Sequence, residues 1–324
     1  MAQSPLRRAW PVALLFLLWW VPSIAPTYYT ELSIEIIILT LYATSYNLLL
    51  GYGGMLSFGH AAFFGLGSYT VALLATRVGI VSFFGTLGLA MLVAAVGALI
   101  IGYFSVRLSQ VYLTMITLAF AEMLYALASR WYSLTNGDTG ITGLPRVIIG
   151  NLDFSAPEDY YRIALLVIAA SLYLLWRVVD SPFGLALRTT RDNAKRSTFL
   201  GLQVYRHQLM AFVIAGAFAG LAGGLFAWFQ RSAFPGFMHW SKSAEVVAVS
   251  ILGGHGLFLG PAFGSVIMLL LETSVRRVTE YWSMVLGVIL VGLVFFPGGV
   301  GGALGRVYQH LRGRRAERGG TVSS

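Results

Sequence analysis

Apolar blocks separated by short connections rich in glycine, proline and charge run almost the whole length of the chain. They lie near 10–27, 32–50, 55–77, 80–106, 110–129, 161–179, 208–229, 243–256, 258–275 and 279–296. Most match the run of about 20 apolar residues that an α-helix needs to cross a bilayer, whereas 243–256 falls short of it. The pattern predicts an all-α polytopic membrane bundle of about 9–10 transmembrane helices. A transmembrane domain over 1–305 and a basic tail over 306–324 account for the chain.

Basic residues set the orientation, because Lys and Arg between spans are retained on the cytoplasmic side. With Arg7 and Arg8 inside, counting crossings places Arg107 inside, the loop 130–160 outside and the stretch from Arg177 to His207 inside. Arg306, Arg312, Arg314, Arg315 and Arg318 of the tail belong inside as well, which requires an even number of crossings, so 243–275 crosses or re-enters twice. That placement leaves Arg276 and Arg277 outside, and a nine-crossing arrangement stays open. Ser23-Ile24-Ala25 is a faint signal-peptidase site. The chain nevertheless runs straight on into further apolar segments and Trp19-Trp20 suits an interfacial anchor, so the expectation is an uncleaved first span.

Two glycine-bearing segments echo each other at an offset of 200 residues: Gly53, Gly54, Phe58, Ala62 and Phe63 fall on Gly253, Gly254, Phe258, Ala262 and Phe263. The echo predicts two related halves, with short Gly-interrupted helices at corresponding positions beside a pathway, an arrangement common in transporters. From Gly51 to Tyr69 small residues recur every few positions, which lets backbones approach closely and puts the segment inside the bundle. Clustered glycines also permit irregular backbone, tolerated at membrane depth only beside protein or a water-filled cavity. Gly53, Gly54, Ser57, Gly59, His60, Gly253 and Gly254, with Glu122 from a later span, are therefore the candidate pathway wall. His60, alone among Ala and Phe, reads first as a hydrogen-bonded packing residue. Gly51-Tyr52-Gly53-Gly54 lacks the preceding strand and the lysine or acidic partner of a nucleotide-binding loop.

With 57% hydrophobic and 11% charged residues, the chain of 324 has too little charge for a soluble surface and no room for a separate soluble domain. The formal net charge of +9 would raise the question of nucleic acid in a soluble protein, but here the basic residues lie between apolar blocks and mark topology. Having no cysteine excludes disulfides, thiolate metal sites and cysteine nucleophiles. There is no Ser/His/Asp set with readable spacing, no His pair at helical metal spacing and no Walker-type loop, so no catalytic, cofactor-binding or metal residue is assigned. Intramembrane acids are few: Glu35, Glu122, Glu245 and Glu272. Glu122 sits mid-span as a packing group, a structural ion pair or a pathway group, and Glu245 reads as interfacial.

Between spans, the stretch 180–207 is too polar to enter the bilayer. Pro182 and Gly184 break the preceding span, and Asp192 to Leu200 reads as a short helix closed by Gly201. A basic amphipathic helix of this kind either rests on lipid headgroups or docks a soluble partner, and charge alone does not decide. The loop 130–160 carries the turn-forming run Thr135 to Pro145, which gives either a structured surface at the outer mouth or a plain connection.

Four ordered stretches carry a family resemblance: Gly51 to Tyr69, Tyr112 to Met123, Ser181 to Gly224, and Ile251-Leu252-Gly253-Gly254 through Gly260-Pro261. Over most of 30–300 the chain resembles the branched-chain amino acid ABC permeases, specifically the second of their two paralogous membrane subunits. The resemblance implies a permease subunit in a bacterial-type inner membrane with both termini cytoplasmic. Its partners would be a paralogous permease, two cytoplasmic ATPases, a periplasmic binding protein and membrane lipid, with no nucleic acid. Mg-ATP would be bound and hydrolysed on the ATPases, so this chain is expected to hold no cofactor and to be no enzyme. The pathway would carry branched-chain or similar small amino acids. By the same resemblance the coupling helix seated on the ATPase falls on Arg191, Asp192, Asn193, Ala194, Lys195, Arg196, Ser197, Thr198, Phe199, Leu200 and Gly201, which favours docking over a lipid rest.

Similar permeases commonly carry a Thr-Gly-Gly run in the outside loop where this chain has Thr135-Asn136-Gly137, which leaves urea, amides and small acids beside the branched-chain amino acids as solutes. The alternative reading is a self-sufficient secondary transporter or channel for a small polar solute. Sparse intramembrane charge and the charged cytoplasmic helix weigh against it. A membrane-embedded enzyme would need a polar catalytic cluster that the sequence lacks.

Overall fold

The computed structural model of the chain describes residues 17–294, apart from 109, 146, 147, 150, 151, 154, 155 and 278–280. Its architecture is an all-α bundle. In chain order come α1 (Thr27–Asn47, prolonged by a π-helical turn over Leu48–Tyr52), α2 (His60–Leu73, prolonged likewise over Leu74–Val78), α3 (Phe83–Ser105) and α4 (Gln110–Arg130). There follow α5 (Pro157–Val179), α6 (Pro182–Asp192), α7 (Ala194–Phe199), α8 (Val204–Gln230), α9 (Trp240–Gly253), α10 (Gly260–Arg276) and α11 (Trp282–Val294). Among the described residues six helices, α1 to α5 and α8, are long and apolar enough to cross a membrane. The chain is thus a multi-pass membrane protein. Of the span expected at 10–27, residues 10–16 lie outside the described residues, and the rest includes a short helix, Val21–Ile24, that extended Ala25 separates from α1; Arg7, Arg8 and the tail 306–324 also lie outside.

Small residues fix the packing around α8. Gly216, Gly220 and Gly224, spaced by one helical turn, meet Ala98, Ala94 and Ala90 of α3 in reverse order, so these two helices run antiparallel with their backbones close. A second face of α8 presses on α2: a Cβ at Gly67 would fall on the Gly220 carbonyl, and one at Gly223 on the Phe64 carbonyl. The opposite face of α3, with Leu92, Val96, Leu99 and Ile100, is exposed. Such a face suits lipid or another membrane subunit.

The bundle has two distinct ends. At one, α6 and α7 connect α5 to α8. At the other, Ile141–Thr142 pairs antiparallel with Ser232–Ala233, and the Arg231 guanidinium donates twice to the Leu144 carbonyl, at 3.2 and 2.8 Å. The loop after α4 is therefore structured over its described part around Thr135 to Leu144 rather than a plain connection.

α9 and α10 form an antiparallel hairpin, since Gly253 abuts the Gly260 carbonyl while Gly264 abuts Val249. At 14 and 17 residues they span about 21 and 26 Å at ~1.5 Å per residue, less than the ~30 Å of a hydrocarbon core. The two therefore make a short hairpin around 243–275, neither arm of which is long enough for a full crossing. Arg277 donates to the Tyr28 hydroxyl at 3.3 Å, and Arg276 pairs with Glu272 at 2.8 Å. Both arginines consequently lie toward the end of the bundle where α1 begins, away from α6 and α7.

Two expected boundaries are corrected. The span placed at 55–77 becomes helical only at His60, because Gly54 has φ +65° and turns the backbone out of the helix. The helix placed over Asp192 to Leu200 is two helices: Asp192 ends α6, and extended Asn193 starts α7 by accepting the Arg196 N–H on its side chain at 2.9 Å.

Candidate functional site

Two helix breaks meet in the bundle. α1 loosens into a π-helical turn and stops after Tyr52; α9 stops at Gly253, and Gly254 has φ +94°, a conformation that glycine alone adopts readily. Helix resumes at His60 in one break and Gly260 in the other, 200 positions apart, so the sequence echo has a structural counterpart here. The breaks touch: the Asn47 side-chain amide donates to the Leu257 carbonyl at 3.1 Å, and a Cβ at Gly51 would strike the His255 carbonyl.

Arg191, at the end of α6, reaches into this junction. Its guanidinium donates to the Gly51 carbonyl, its aliphatic stem packs on Gly54, and Asp192 holds it from the other side at 3.2 Å. A Cβ at Gly54 would lie 2.5 Å from the Arg191 Cγ, so glycine is needed there for space as well as for conformation. Arg188, one turn earlier, lies 4.9 Å over the Tyr52 ring. The polar segment between α5 and α8 is therefore bonded directly to the first of the two breaks.

Beyond Arg191 the chain points outward. Of Arg191 to Gly201 only Ser197 is buried, its hydroxyl bonded to the Asn193 carbonyl at 3.0 Å. Phe199 and Leu200 are 91% and 74% exposed. Gly201, at φ +83°, closes α7 by donating to Thr198 while Leu202 donates to Ser197, the bond pair of a Schellman turn. Two large apolar side chains stand exposed at the tip of a capped helix beside Lys195 and Arg196, a compact apolar and basic knob.

The remaining expected wall residues divide. Ser57 and Gly59 lie in the first break, where the Ser57 hydroxyl accepts the Gly59 N–H at 3.2 Å and Gly59 packs on Thr117 of α4. His60 is fully buried, with Nε2 3.0 Å from the Ser45 hydroxyl and the rings of Tyr42, Tyr46 and Phe63 around it, as a packing residue should be. Glu122 stands apart from the breaks: its carboxylate accepts the Trp240 N–H at 3.1 Å at the start of α9, a helix N-terminus that favours negative charge.

The other three acids converge in a way the sequence did not disclose. Glu35 of α1, Glu245 of α9 and Glu272 of α10 line one cavity together with Lys242. Glu245 pairs there with Lys242 at 2.8 Å. The i, i+3 spacing of Lys242 and Glu245 within an apolar stretch was the available signal. Among the described residues no group of three or more His or acidic side chains is placed to hold a metal ion.

Comparison with known proteins gives a consistent family. The family described as "Branched-chain amino acid transport system / permease component" matches residues 28–294. The high-affinity branched-chain amino acid transport system permease protein LivM of Salmonella typhimurium is 32% identical over 268 residues, covering 76% of this chain and 63% of the relative. The high-affinity branched-chain amino acid transport system permease protein LivH of the same organism is 26% identical over 284 residues, covering 80% of this chain and 90% of the relative. The autoinducer 2 import system permease protein LsrC of Salmonella typhi is 27% identical over 184 residues, covering 53% of this chain and 52% of the relative. The chain spans about 63% of the length of the LivM relatives it matches. No solved structure matches.

Proposed function

Since this chain belongs to the family of branched-chain amino acid transport system permease components, we propose that it is one of two paralogous membrane subunits of an ATP-driven importer for branched-chain or similar small amino acids. A periplasmic-type binding protein delivers solute to the end of the bundle bearing the Ile141–Ala233 pairing, and cytoplasmic ATPases dock at α6 and α7. The membrane is a bacterial inner membrane with Mg-ATP consumed on the partner subunits. The observation that carries this reading is Arg191, which joins an exposed docking knob to the junction of two broken helices. A self-sufficient transporter has no use for such a knob.

In this mechanism, ATPase closure displaces α7, and α6 moves with it because only Asn193 separates them. Arg191 then pulls on Gly51 and Gly54, at the π-helical end of α1, and the contact with the 254–259 turn shifts in turn. Gly53, Ser57, Gly253 and Gly254 border the pathway, and His60 holds its wall rigid.

The test is a pull-down of the tagged chain from detergent-solubilised native membranes, comparing wild type with Phe199→Asp/Leu200→Asp and with Lys195→Glu/Arg196→Glu. Recovery of a second permease and ATPases with the wild type, and loss of the ATPases alone from the variants, is the expected result. A wild-type chain isolated without partners would overturn the proposal in favour of a self-sufficient transporter.

A further inference from the structure

The cavity shared by α1, α9 and α10 has a volume of about 140 Å³. That is room for roughly five waters at ~30 Å³ each, so it exceeds a bare cation and falls well below a drug-sized pocket. Its charges do not cancel. Lys242 pairs with Glu245 at 2.8 Å and Glu272 with Arg276 at 2.8 Å, while Glu35 makes no salt bridge among the described residues. One carboxyl group is therefore left facing the cavity without an ion partner, inside a bundle where an unpaired charge is costly. Lys242 has three donors and gives one to Glu245, which leaves two for an incoming acceptor. The Tyr42 hydroxyl is fully buried on the same wall, beside the Ser243 hydroxyl that accepts from the Ala61 N–H.

The rest of the lining is apolar: Ile38, Leu39, Phe64, Phe226 and Leu269. Phe226 also lies 5.8 Å from the Lys242 ammonium, which steadies the lysine over its ring. A carboxyl group without an ion partner, a lysine with spare donors, a buried hydroxyl and apolar walls in a small space suit a molecule with an ammonium, a carboxylate and a short apolar side chain. We propose that this cavity is a binding site for a free α-amino acid with an apolar side chain, held with its ammonium on Glu35 and its carboxylate on Lys242. The proposal rests on the amino-acid importer reading above. It adds that this subunit itself recognises the solute, toward the end of the bundle remote from α6 and α7.

Saturation-transfer NMR with L-valine as probe tests it, on the detergent-purified complex of this chain with its partner subunits and without the binding protein. Wild type should give a saturable valine signal that isobutylamine displaces and isobutyrate displaces less. Glu35→Gln should weaken valine by about ten-fold or more, the cost of losing one charged hydrogen-bond partner, while Glu35→Asp retains binding. No saturable signal from a complex that imports valine once the binding protein is added would overturn this site and leave the importer reading standing. Unchanged binding in Glu35→Gln would do the same, and should that variant fail to assemble, failure of isobutylamine to compete in wild type decides against the site. A complex that neither binds nor imports any apolar amino acid would overturn both.

Discussion

Gly220 has no room for a side chain. A Cβ there would collide with the Ala94 methyl of α3, with the Ala90 carbonyl 3.0 Å away, and α2 approaches so closely on another side that Gly67 abuts the Gly220 carbonyl. Gly220→Val is expected to cost at least ~1–3 kcal/mol through forced separation of three helices, read as a lower thermal-unfolding midpoint of the detergent-solubilised chain. An unchanged midpoint would mean the helices are not packed through these residues. At this scale His60 was legible as a packing residue, because a single ionisable group among Ala and Phe has few roles. The Glu35, Glu245 and Glu272 convergence was not, because 237 positions separate Glu35 from Glu272 and nothing local records which helix faces meet.

Among the elements, α7 depends most on its ends. It has six residues, too few to persist on helix propensity, and it is held by the Asn193 cap, the Gly201 turn and Ser197 packing inward. Asn193→Ala should remove about 0.5–2 kcal/mol of local stability and speed hydrogen exchange across Ala194 to Phe199, with exchange in α8 unchanged. Slow exchange retained in that variant would show that the helix is held by something other than its cap. The existence of a short helix closed by Gly201 could be read from polarity and turn chemistry. Its start could not, because Asp192 and Asn193 are both good capping residues and only the backbone turn at Asn193 selects between them.

For the molecule as a whole, the proposed importer turns on the contact between the two breaks. The chain has no cysteine, so paired substitutions report without background. Asn47→Cys with Leu257→Cys, bridged by a short bifunctional thiol reagent, should arrest transport while leaving the complex assembled, and a reducible reagent should allow recovery on reduction. Undiminished transport across a verified cross-link would show that the breaks move as one body and that the motion lies elsewhere.

The sequence by itself determined that this is a helical membrane protein, where most spans lie, that the segments around 243–275 are short, and that two glycine-bearing breaks correspond at an offset of 200 residues. Those features are local: about 20 apolar residues need a bilayer, a glycine cluster interrupts a helix, and basic loops stay on one side. Only the tertiary structure decided that Arg191 turns inward to the Gly51 carbonyl, that Glu122 serves the start of α9, and that three acids and Lys242 close around one cavity. Each of these depends on the rotation and depth of one helix against another. That is settled by how small residues on several helices interlock at once, and no single stretch of sequence contains it.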